Sequence, residues 1–329
     1  MRRLCHTGGL VLFLLIGVHP ALGQVDEIDD LLRGGPEDAR LLIDAYLAPG
    51  VTGFQDGLNT GWGGSATVHE QFGAYLHVIA TLTRVPDDDR TFTIDPADLE
   101  RFTLENRAIG ASPTLAGDED VPTYVLRLPS GETVEMPEGS GVSYVPVPLI
   151  EAGVGVGRGT DLMLRLVPPT NIEDYGELSL LGVGLKHRLN PWLPGGDGLP
   201  VDLAASVQYT RFRLNAGLDE EDEQDLDGDT DAWSVNLLVG RRLPVVSVYG
   251  GVGLETSSTT LALVGSYDVE DETGTVRSVE DPLEVTFGPD TTLRGLVGLQ
   301  VRAAVLRLFV EGTRSTYPSV TAGLGIDIG

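Results

Sequence analysis

The chain of 329 residues carries 49 acidic and 22 basic side chains, a formal net charge of −27. A polyanion of this size repels nucleic acid, so we exclude nucleic acid as a partner. The single cysteine, Cys5, leaves no pair for a disulfide within the chain and no thiolate cluster for a metal. The 43 glycines and 20 prolines are typical of many strands joined by turns, and they favour an all-β protein.

Residues 1–23 are predicted to be a secretory signal peptide. Two arginines precede an apolar run at residues 10–18, and Ala21-Leu22-Gly23 suits cleavage before residue 24. The run is too short for a membrane-spanning helix, and no later stretch approaches the roughly 20 apolar residues that such a helix needs. We therefore expect an exported chain. It stays in the periplasm, is released, or enters the outer membrane of a Gram-negative-type bacterium as a closed barrel.

Residues 24–71 are predicted to form a short helical segment. Apolar residues recur at three-and-four spacing in residues 25–32 and 36–47, and Pro36 with the acids after it suits a helix start. Pro49-Gly50 is expected to end the second helix. Because so short a segment cannot build a core of its own, we expect it to plug or cap whatever follows.

From residue 72 onward the sequence alternates with a period of two. In residues 201–210, the odd positions are apolar and end in Tyr209, whereas the even positions are mostly small or polar. The same pattern recurs in residues 232–240, 293–303, 305–313 and 320–328. A transmembrane barrel strand has this pattern, with lipid on one face and a polar interior on the other. A soluble β-sandwich also alternates, but its strands favour about five or six residues.

Short and long connections alternate along the chain, as periplasmic turns and outer loops do. The predicted short connections are residues 157–161, 190–200, 241–244 and 303–304, and the long ones are residues 168–176, 216–231 and 269–290. This pattern predicts about ten strands, or twelve to fourteen if residues 84–143 contribute weak ones. Residues 84–143 are predicted to be a large extracellular insertion, with a hairpin around Pro129-Ser130-Gly131. The predicted fold is an all-β antiparallel transmembrane barrel over residues 72–329, with the helical segment before it.

An acidic run at residues 219–231 is a candidate calcium site. In the register of a calcium-binding loop, the candidate ligands are Glu223, Asp225, Asp227, Asp229 and Asp231. Gly228 then takes the sixth position, but Ser234 stands where the closing Glu is required. A solvated acidic loop is the alternative, and no other cofactor is predicted.

Several side chains are predicted to face the barrel lumen. The ligand or lumen candidates are Tyr75, His77, Arg294, Arg302, Arg307 and Glu311. The charged ones are expected to form paired ladders that stiffen the wall, with an open pore as the alternative, because a ten-stranded barrel is narrow. His77 is expected to be hydrogen-bonded. The alternative is a catalytic base of an outer-membrane hydrolase, but no Gly-x-Ser-x-Gly motif supports it, so we predict no enzyme.

Four motifs carry a resemblance to a known group of proteins. They are GFxxGLNTGW at residues 53–62, RVPDDD at residues 84–89, VPxxEAGVG at residues 147–155 and GVGLKH at residues 182–187. Their order resembles an uncharacterised family of predicted outer-membrane barrels from Bacteroidetes-like bacteria. A helical segment followed by a barrel is also similar, more distantly, to the long-chain fatty-acid transporters, whose N-terminal segment plugs the lumen.

Two functional hypotheses follow, both with outer-membrane lipid as a partner. The first, which rests on the predicted plug and on the transporter resemblance, is a narrow barrel that binds or transports a small hydrophobic molecule. The second is a structural or surface-interaction barrel whose contact surface is residues 84–143 together with the acidic loops.

Overall fold

The chain folds into a closed barrel of antiparallel strands with a long helix that enters it. The computed structural model describes residues 30–172, 176–219, 224–270 and 275–328, so the predicted signal peptide lies outside the described residues. The helix is α1 (Pro36–Asn59). The strands are β1 (Ala74–Arg84), β2 (Thr91–Phe92), β3 (Thr103–Leu104), β4 (Ser112–Pro113), β5 (Val125–Arg127), β6 (Thr133–Glu135), β7 (Tyr144–Gly157), β8 (Thr160–Ile172), β9 (Gly176–Arg188), β10 (Asp202–Asp219), β11 (Gln224–Arg242), β12 (Val246–Val264), β13 (Ser266–Glu270), β14 (Val276–Glu280), β15 (Leu283–Ala303), β16 (Leu306–Arg314) and β17 (Pro318–Ile328).

Ten strands close the barrel in the order β1-β17-β16-β15-β12-β11-β10-β9-β8-β7, and β7 pairs with β1. The predicted fold class and the count of about ten strands are confirmed. The short strands pair among themselves, as β2–β4, β3–β5–β6 and β13–β14, and do not join the wall. Leu126 pairs with Val134 in the β5–β6 hairpin, as predicted within the insertion.

The barrel wall is apolar outside and mostly polar inside. In β1, Tyr75, His77 and Thr81 are buried, whereas Leu76 and Val78 are half exposed. Exposed apolar side chains continue around the wall at Leu162, Leu164, Leu166, Leu181, Val183, Val235, Leu237, Val239, Leu299, Leu308, Val310, Leu324 and Ile326. A water-soluble sandwich buries its apolar face, so this arrangement is that of a membrane barrel.

The strands extend further than predicted at the end of the barrel that bears the insertion. Most of the predicted loop 216–231 is paired strand, because β10 continues to Asp219 and β11 begins at Gln224. The predicted loop 269–290 contains the β13–β14 hairpin and the start of β15. Strand β8 also runs past its predicted end at Val167, with a register shift between Val167 and Thr170. Polar side chains did not stop these strands, because an antiparallel pair keeps its backbone bonds in water as well as in lipid.

Helix α1 passes through Pro49, where the sequence predicted its end, and continues to Asn59. Gly53 and Gly57 lie four residues apart, so they share one helix face. A Cβ on Gly53 would come within 2.8 Å of Val145, and one on Gly57 within 2.5 Å of Val147. Close packing of this face on β7 offsets the hydrogen bond that Pro49 cannot donate. Within the described ranges, no helix is both long and apolar enough to cross a membrane.

A second hydrophobic core lies beyond one end of the barrel. It joins the first turns of α1, the insertion and the far ends of the longest strands. We call residues 30–48, 85–143, 263–270 and 275–287 the cap. Its buried apolar members include Leu42, Ile43, Tyr46, Phe102, Leu104, Tyr124, Leu126, Val134, Met136, Leu263, Tyr267, Val285 and Phe287. The insertion is therefore a folded part of the molecule rather than a loose loop.

Asp38 joins α1 to the insertion. Its carboxylate is buried and accepts backbone N–H bonds from Glu100 (2.7 Å), Arg101 (2.9 Å) and Phe102 (2.7 Å). We expect Asp38→Ala to destabilise the cap by about 3 kcal/mol or more, since each unsatisfied buried N–H costs about 1–3 kcal/mol. Limited trypsin digestion should then cleave the insertion faster, while the barrel stays resistant to detergent.

The matched control is Glu37→Ala, because Glu37 is the exposed neighbour of Asp38 in the same helical turn. Its cleavage rate should equal that of the wild type. Equal rates for Asp38→Ala and Glu37→Ala would show that this contact does not hold the cap.

Candidate functional site

The N-terminal segment fills the barrel lumen. Helix α1 begins in the cap and ends inside the wall, where Asn59 Nδ2 donates to Ser257 Oγ of β12 over 3.0 Å. The chain then runs to the opposite end, where Phe72 N donates to Gly155 O over 2.7 Å before β1 starts. We call residues 50–71 the plug. The N-terminal segment therefore passes through the whole barrel from the cap end to the opposite end.

Arg165 of β8 holds the C-terminal end of α1. Its guanidinium donates to Leu58 O (2.9 Å) and to Thr60 O (2.7 Å), and it pairs with Glu151 Oε2 at 2.9 Å. The guanidinium also lies 3.8 Å from the ring centroid of Trp62. Both charged side chains are fully buried. A cation at this place satisfies the last carbonyls of the helix and interacts favourably with its dipole.

Arg294 of β15 supports the same helix end from the other side of the lumen. Its Nη1 donates to Asn59 O over 2.7 Å and lies 3.1 Å from Glu255 Oε2. About one turn earlier on the same face, Gln55 Nε2 donates to Thr259 Oγ1 over 2.9 Å. Two buried arginines on different strands therefore fix where α1 stops.

Two buried carboxylates bind the backbone of the plug. Glu151 Oε1 accepts from Gly63 N at 2.8 Å, and Glu311 Oε1 accepts from Gly61 N at 3.2 Å. Gly61 and Gly63 have φ angles of 72° and 69°, a left-handed conformation that favours glycine. The glycine-rich motif at residues 53–62 thus belongs to the tight path of the plug through the lumen.

His69 closes the plug at the end opposite the cap. Its Nδ1 lies 2.9 Å from Asp161 Oδ2, and its Nε2 lies 3.2 Å from Asp327 Oδ1. Lys186, the only lysine of the chain, is buried with Nζ 3.6 Å from Asp161 Oδ2. Burial by itself lowers the pKa of His69, but its hydrogen bonds to the two carboxylates raise it by more, so the pKa lies above its ordinary value.

This geometry predicts that the stability of the barrel depends on pH. Because the folded pKa of His69 exceeds its unfolded value of about 6.5, the stabilisation is fully present below that value and is lost as pH rises through the folded pKa. We expect the urea midpoint of the wild type to fall over this range. His69→Gln should not show this fall, and a wild type whose midpoint changes no more than that of His69→Gln would contradict the assignment.

The structure places each predicted lumen residue inside the wall. Tyr75 donates to Glu151 Oε1 at 2.8 Å, and Glu311 binds the plug as described. Arg294 and Arg307 form ion pairs with Glu255 (3.1 Å) and Asp327 (2.7 Å), the arrangement expected of paired ladders. Arg302 faces inward without an ion pair among the described residues.

His77 does not have the hydrogen bond that we predicted for it. It is buried between rings, stacked on Tyr75 with centroids 4.5 Å apart and tilted against Phe309 at 5.7 Å. Neither ring nitrogen has a hydrogen-bond partner in the part of the chain that the structure describes. The serine and carboxylate that a catalytic histidine needs are therefore not in place around it.

Sequence reasoning missed the residues at the centre of the site. Arg165, Glu151, Asp161, Lys186 and Glu255 are all buried and charged, and each contacts the plug or a residue that binds it. A signal was present in β8, where Asp161 and Arg165 alternate with the outward row Leu162, Leu164 and Leu166. The strand was predicted only over residues 162–167, so Asp161 lay outside it and this alternation was not recognised.

The predicted calcium ligands do not form a loop. Glu223 lies outside the described residues, and the other four follow every second position along the outer face of β11. Asp227 accepts from Asn215 Nδ2 (2.7 Å), and Asp229 pairs with Arg211 Nη2 (2.6 Å) on the neighbouring strand. Every second residue of a strand is about 6.6 Å further on, so these carboxylates cannot converge on one ion. Across the described ranges, no group of three His, Cys, Asp or Glu side chains could hold a metal.

A closed ten-stranded barrel with an apolar outer wall and a polar, plugged lumen defines this chain as an outer-membrane-type β-barrel protein. The chain belongs to the family described as "Family of unknown function (DUF6588)", which matches residues 1–328. No curated protein matches it in sequence.

Solved barrels are similar to the chain at low identity. The translocator domain of autotransporter NalP from Neisseria meningitidis is 11% identical, with 87% of this chain and 99% of that one covered and a TM-score of 0.33. Ail of Yersinia pestis, in complex with a heparin analogue, is 11% identical, with 78% and 99% covered and a TM-score of 0.26. The toluene transporter TbuX of Ralstonia pickettii is 6% identical, with 79% and 90% covered and a TM-score of 0.23. Similarity at this level does not indicate a function for this chain.

Proposed function

We propose that this protein is an outer-membrane barrel, closed by its own N-terminal segment, that holds the cap at the cell surface as a contact surface for a partner. The observation that carries the proposal is the plug. Arg165, Arg294, Glu151 and Glu311 bind backbone atoms of the plug, which includes the C-terminal end of α1, and the lumen is filled at that level. A barrel closed by buried charges serves as a rigid support rather than as an open channel.

The orientation follows from the lengths of the connections. The insertion and the extended strands lie at the cap end, whereas the opposite end has tight turns such as those at residues 158–159 and 304–305. Outer-membrane barrels keep short turns on the periplasmic side and long connections outside. The cap therefore faces outward, and its excess of Asp and Glu over Arg in residues 84–143 favours a partner with a basic surface.

Cysteine labelling in whole cells tests this proposal. The described residues contain no cysteine, so an introduced one is unique there. Glu135→Cys places a thiol on an exposed position of the cap, and Gly198→Cys places one where a Cβ meets open space at the opposite end. A membrane-impermeant maleimide should label Glu135→Cys in intact cells and Gly198→Cys only after lysis. The reverse pattern would overturn the proposed orientation and surface role.

A second measurement tests the closed lumen. In planar lipid bilayers we expect no conductance steps from the wild-type protein. Steady conductance of the folded wild type would overturn the support role and favour transport.

Binding of a small hydrophobic molecule is the second candidate function. It is supported by an apolar recess of about 20 Å³ between α1 and the extended strands. The recess is lined by Ile43, Leu47, Leu226, Leu261, Leu263, Leu283 and Val285. A water molecule needs about 10–15 Å³ of such space, so the recess would have to widen to hold a larger molecule.

Mass spectrometry of organic extracts from the purified protein tests this candidate, with an unrelated barrel from the same membrane as control. A specifically enriched molecule would support it, and the same membrane lipids in both extracts would remove it. We further propose that the protein contacts outer-membrane lipid and has no enzymatic activity. The Bacteroidetes-like source stays a prediction.

A further inference from the structure

A polar cavity of about 180 Å³ lies inside the barrel at the end opposite the cap. The plug forms one wall, and inward side chains of β1, β11, β15, β16 and β17 form the rest. The titratable residues that line it are His69, Glu70, His77, Arg242, Arg302, Arg307 and Asp327. We call this cavity the basic pocket.

Positive charge in the basic pocket exceeds what the protein neutralises. Arg302 and Arg307 are direct partners in the β15–β16 register and both face inward. Like charges directly opposite one another on a sheet destabilise it. Arg307 pairs with Asp327 at 2.7 Å, but Asp327 also binds His69 at 3.2 Å.

Two of the three arginines of the basic pocket lack an ion-pair partner. Across the described ranges neither Arg242 nor Arg302 has an ion pair, and Arg302 Nε is buried without a hydrogen bond. Three arginines and two carboxylates, Glu70 and Asp327, line the cavity, so a net positive charge remains there that an anion would neutralise.

His77 supplies an independent observation at the same cavity. Its side chain is 2% exposed and lines the cavity, and both ring nitrogens lack a partner among the described residues. Burial of a polar group without a hydrogen bond is costly, so such groups usually bind something that occupies the space beside them. An acceptor atom in the cavity would satisfy a ring N–H of His77.

We propose that the basic pocket binds a small oxyanion of the phosphate type. Arg302 and Arg307 hold it through their guanidinium groups, whose paired N–H donors match the oxygens of a phosphate. Arg242 contributes from the rim, and a ring N–H of His77 donates from the inner side. This site lies at the opposite end from the cap and does not depend on the surface role proposed above.

Calorimetric titration of the full-length protein in neutral detergent tests this proposal. At constant ionic strength, inorganic phosphate should bind saturably to the wild type. Arg302→Gln should weaken binding by about tenfold or more, since a hydrogen bond to a charged group contributes at least that much. Arg84→Gln is the matched control, because Arg84 ends β1 at the cap end, and its binding should equal that of the wild type.

His77→Phe is the second variant, because it keeps a ring between Tyr75 and Phe309 and removes the donor. Phosphate binding should weaken while the folded band on unheated detergent gels is retained. A parallel titration with phosphatidylglycerol in the micelles separates two sources of the same chemistry. Binding of inorganic phosphate indicates a free anion, and binding of the lipid alone indicates a headgroup.

Two results would overturn the proposal. One is the absence of saturable binding of either ligand to folded wild-type protein, in which case the basic pocket holds water only. The other is wild-type affinity in Arg302→Gln, which would place any bound anion elsewhere.

Discussion

Arg165→Met is expected to destabilise the folded protein by about 3–5 kcal/mol, because it leaves the buried carboxylate of Glu151 without its charged partner. Both side chains are fully buried in the wild type. The change also removes the donors to Leu58 O and Thr60 O at the end of α1. The urea midpoint of the barrel should fall, and conductance steps should appear in bilayers as the plug loosens.

Two controls separate this effect from the general loss of an arginine. Arg211→Met removes an ion pair with Asp229 in which the two side chains are 41% and 36% exposed. Such exposed pairs contribute only about 0–1 kcal/mol to stability. The double variant Arg165→Met/Glu151→Gln should recover part of the loss, since no unpaired buried charge remains. If Arg165→Met is no less stable than Arg211→Met, the buried pair does not hold the plug.

Gly323→Ala is expected to cost about 1–3 kcal/mol, the usual range for overpacking a filled interior. A Cβ at this position would come within 2.0 Å of Phe309 Cε1. Phe309 has little room to move, because it is 1% exposed and Gly64 of the plug also packs against its ring. Urea unfolding of the purified protein measures the loss.

Gly312→Ala is the matched control, because Gly312 points outward on the adjacent strand and a Cβ there meets nothing within 4 Å. We expect a change of about 0.5 kcal/mol or less. Equal midpoints for the two variants would show that the ring of Phe309 has room to shift.

The same arrangement recurs around the barrel. Tyr75 lies directly opposite Gly153, and Tyr249 lies directly opposite Gly298. A Cβ added to either glycine would come within 2.2 Å of the opposite tyrosine ring. An inward aromatic ring covers a glycine on the neighbouring strand in each pair, which pins the register of the two strands. Composition alone would have assigned these glycines to turns. The structure shows that they are required by packing against aromatic rings in the barrel wall.

The sequence by itself determined the barrel, a count of about ten strands and, in the strands with a clear alternation, which side chains face the lumen. These features depend on a period of two along each strand, which separates lipid-facing from lumen-facing positions and can be read locally. Arg294, Arg307 and Glu311 were found inside for this reason. The helical start of the N-terminal segment was equally local, because it rests on spacing and on Pro36.

Only the tertiary structure decided which lumen charges pair and what they hold. The partner of Arg165 depends on the β7–β8 register, and its bonds to α1 depend on a helix that packing carries past Pro49. His77 is a second example. The alternation along β1 placed its side chain inside the barrel but could not show that aromatic rings surround it. Pairing and solvation are set by neighbours far away in the chain, so a pattern that repeats every two residues carries no information about them.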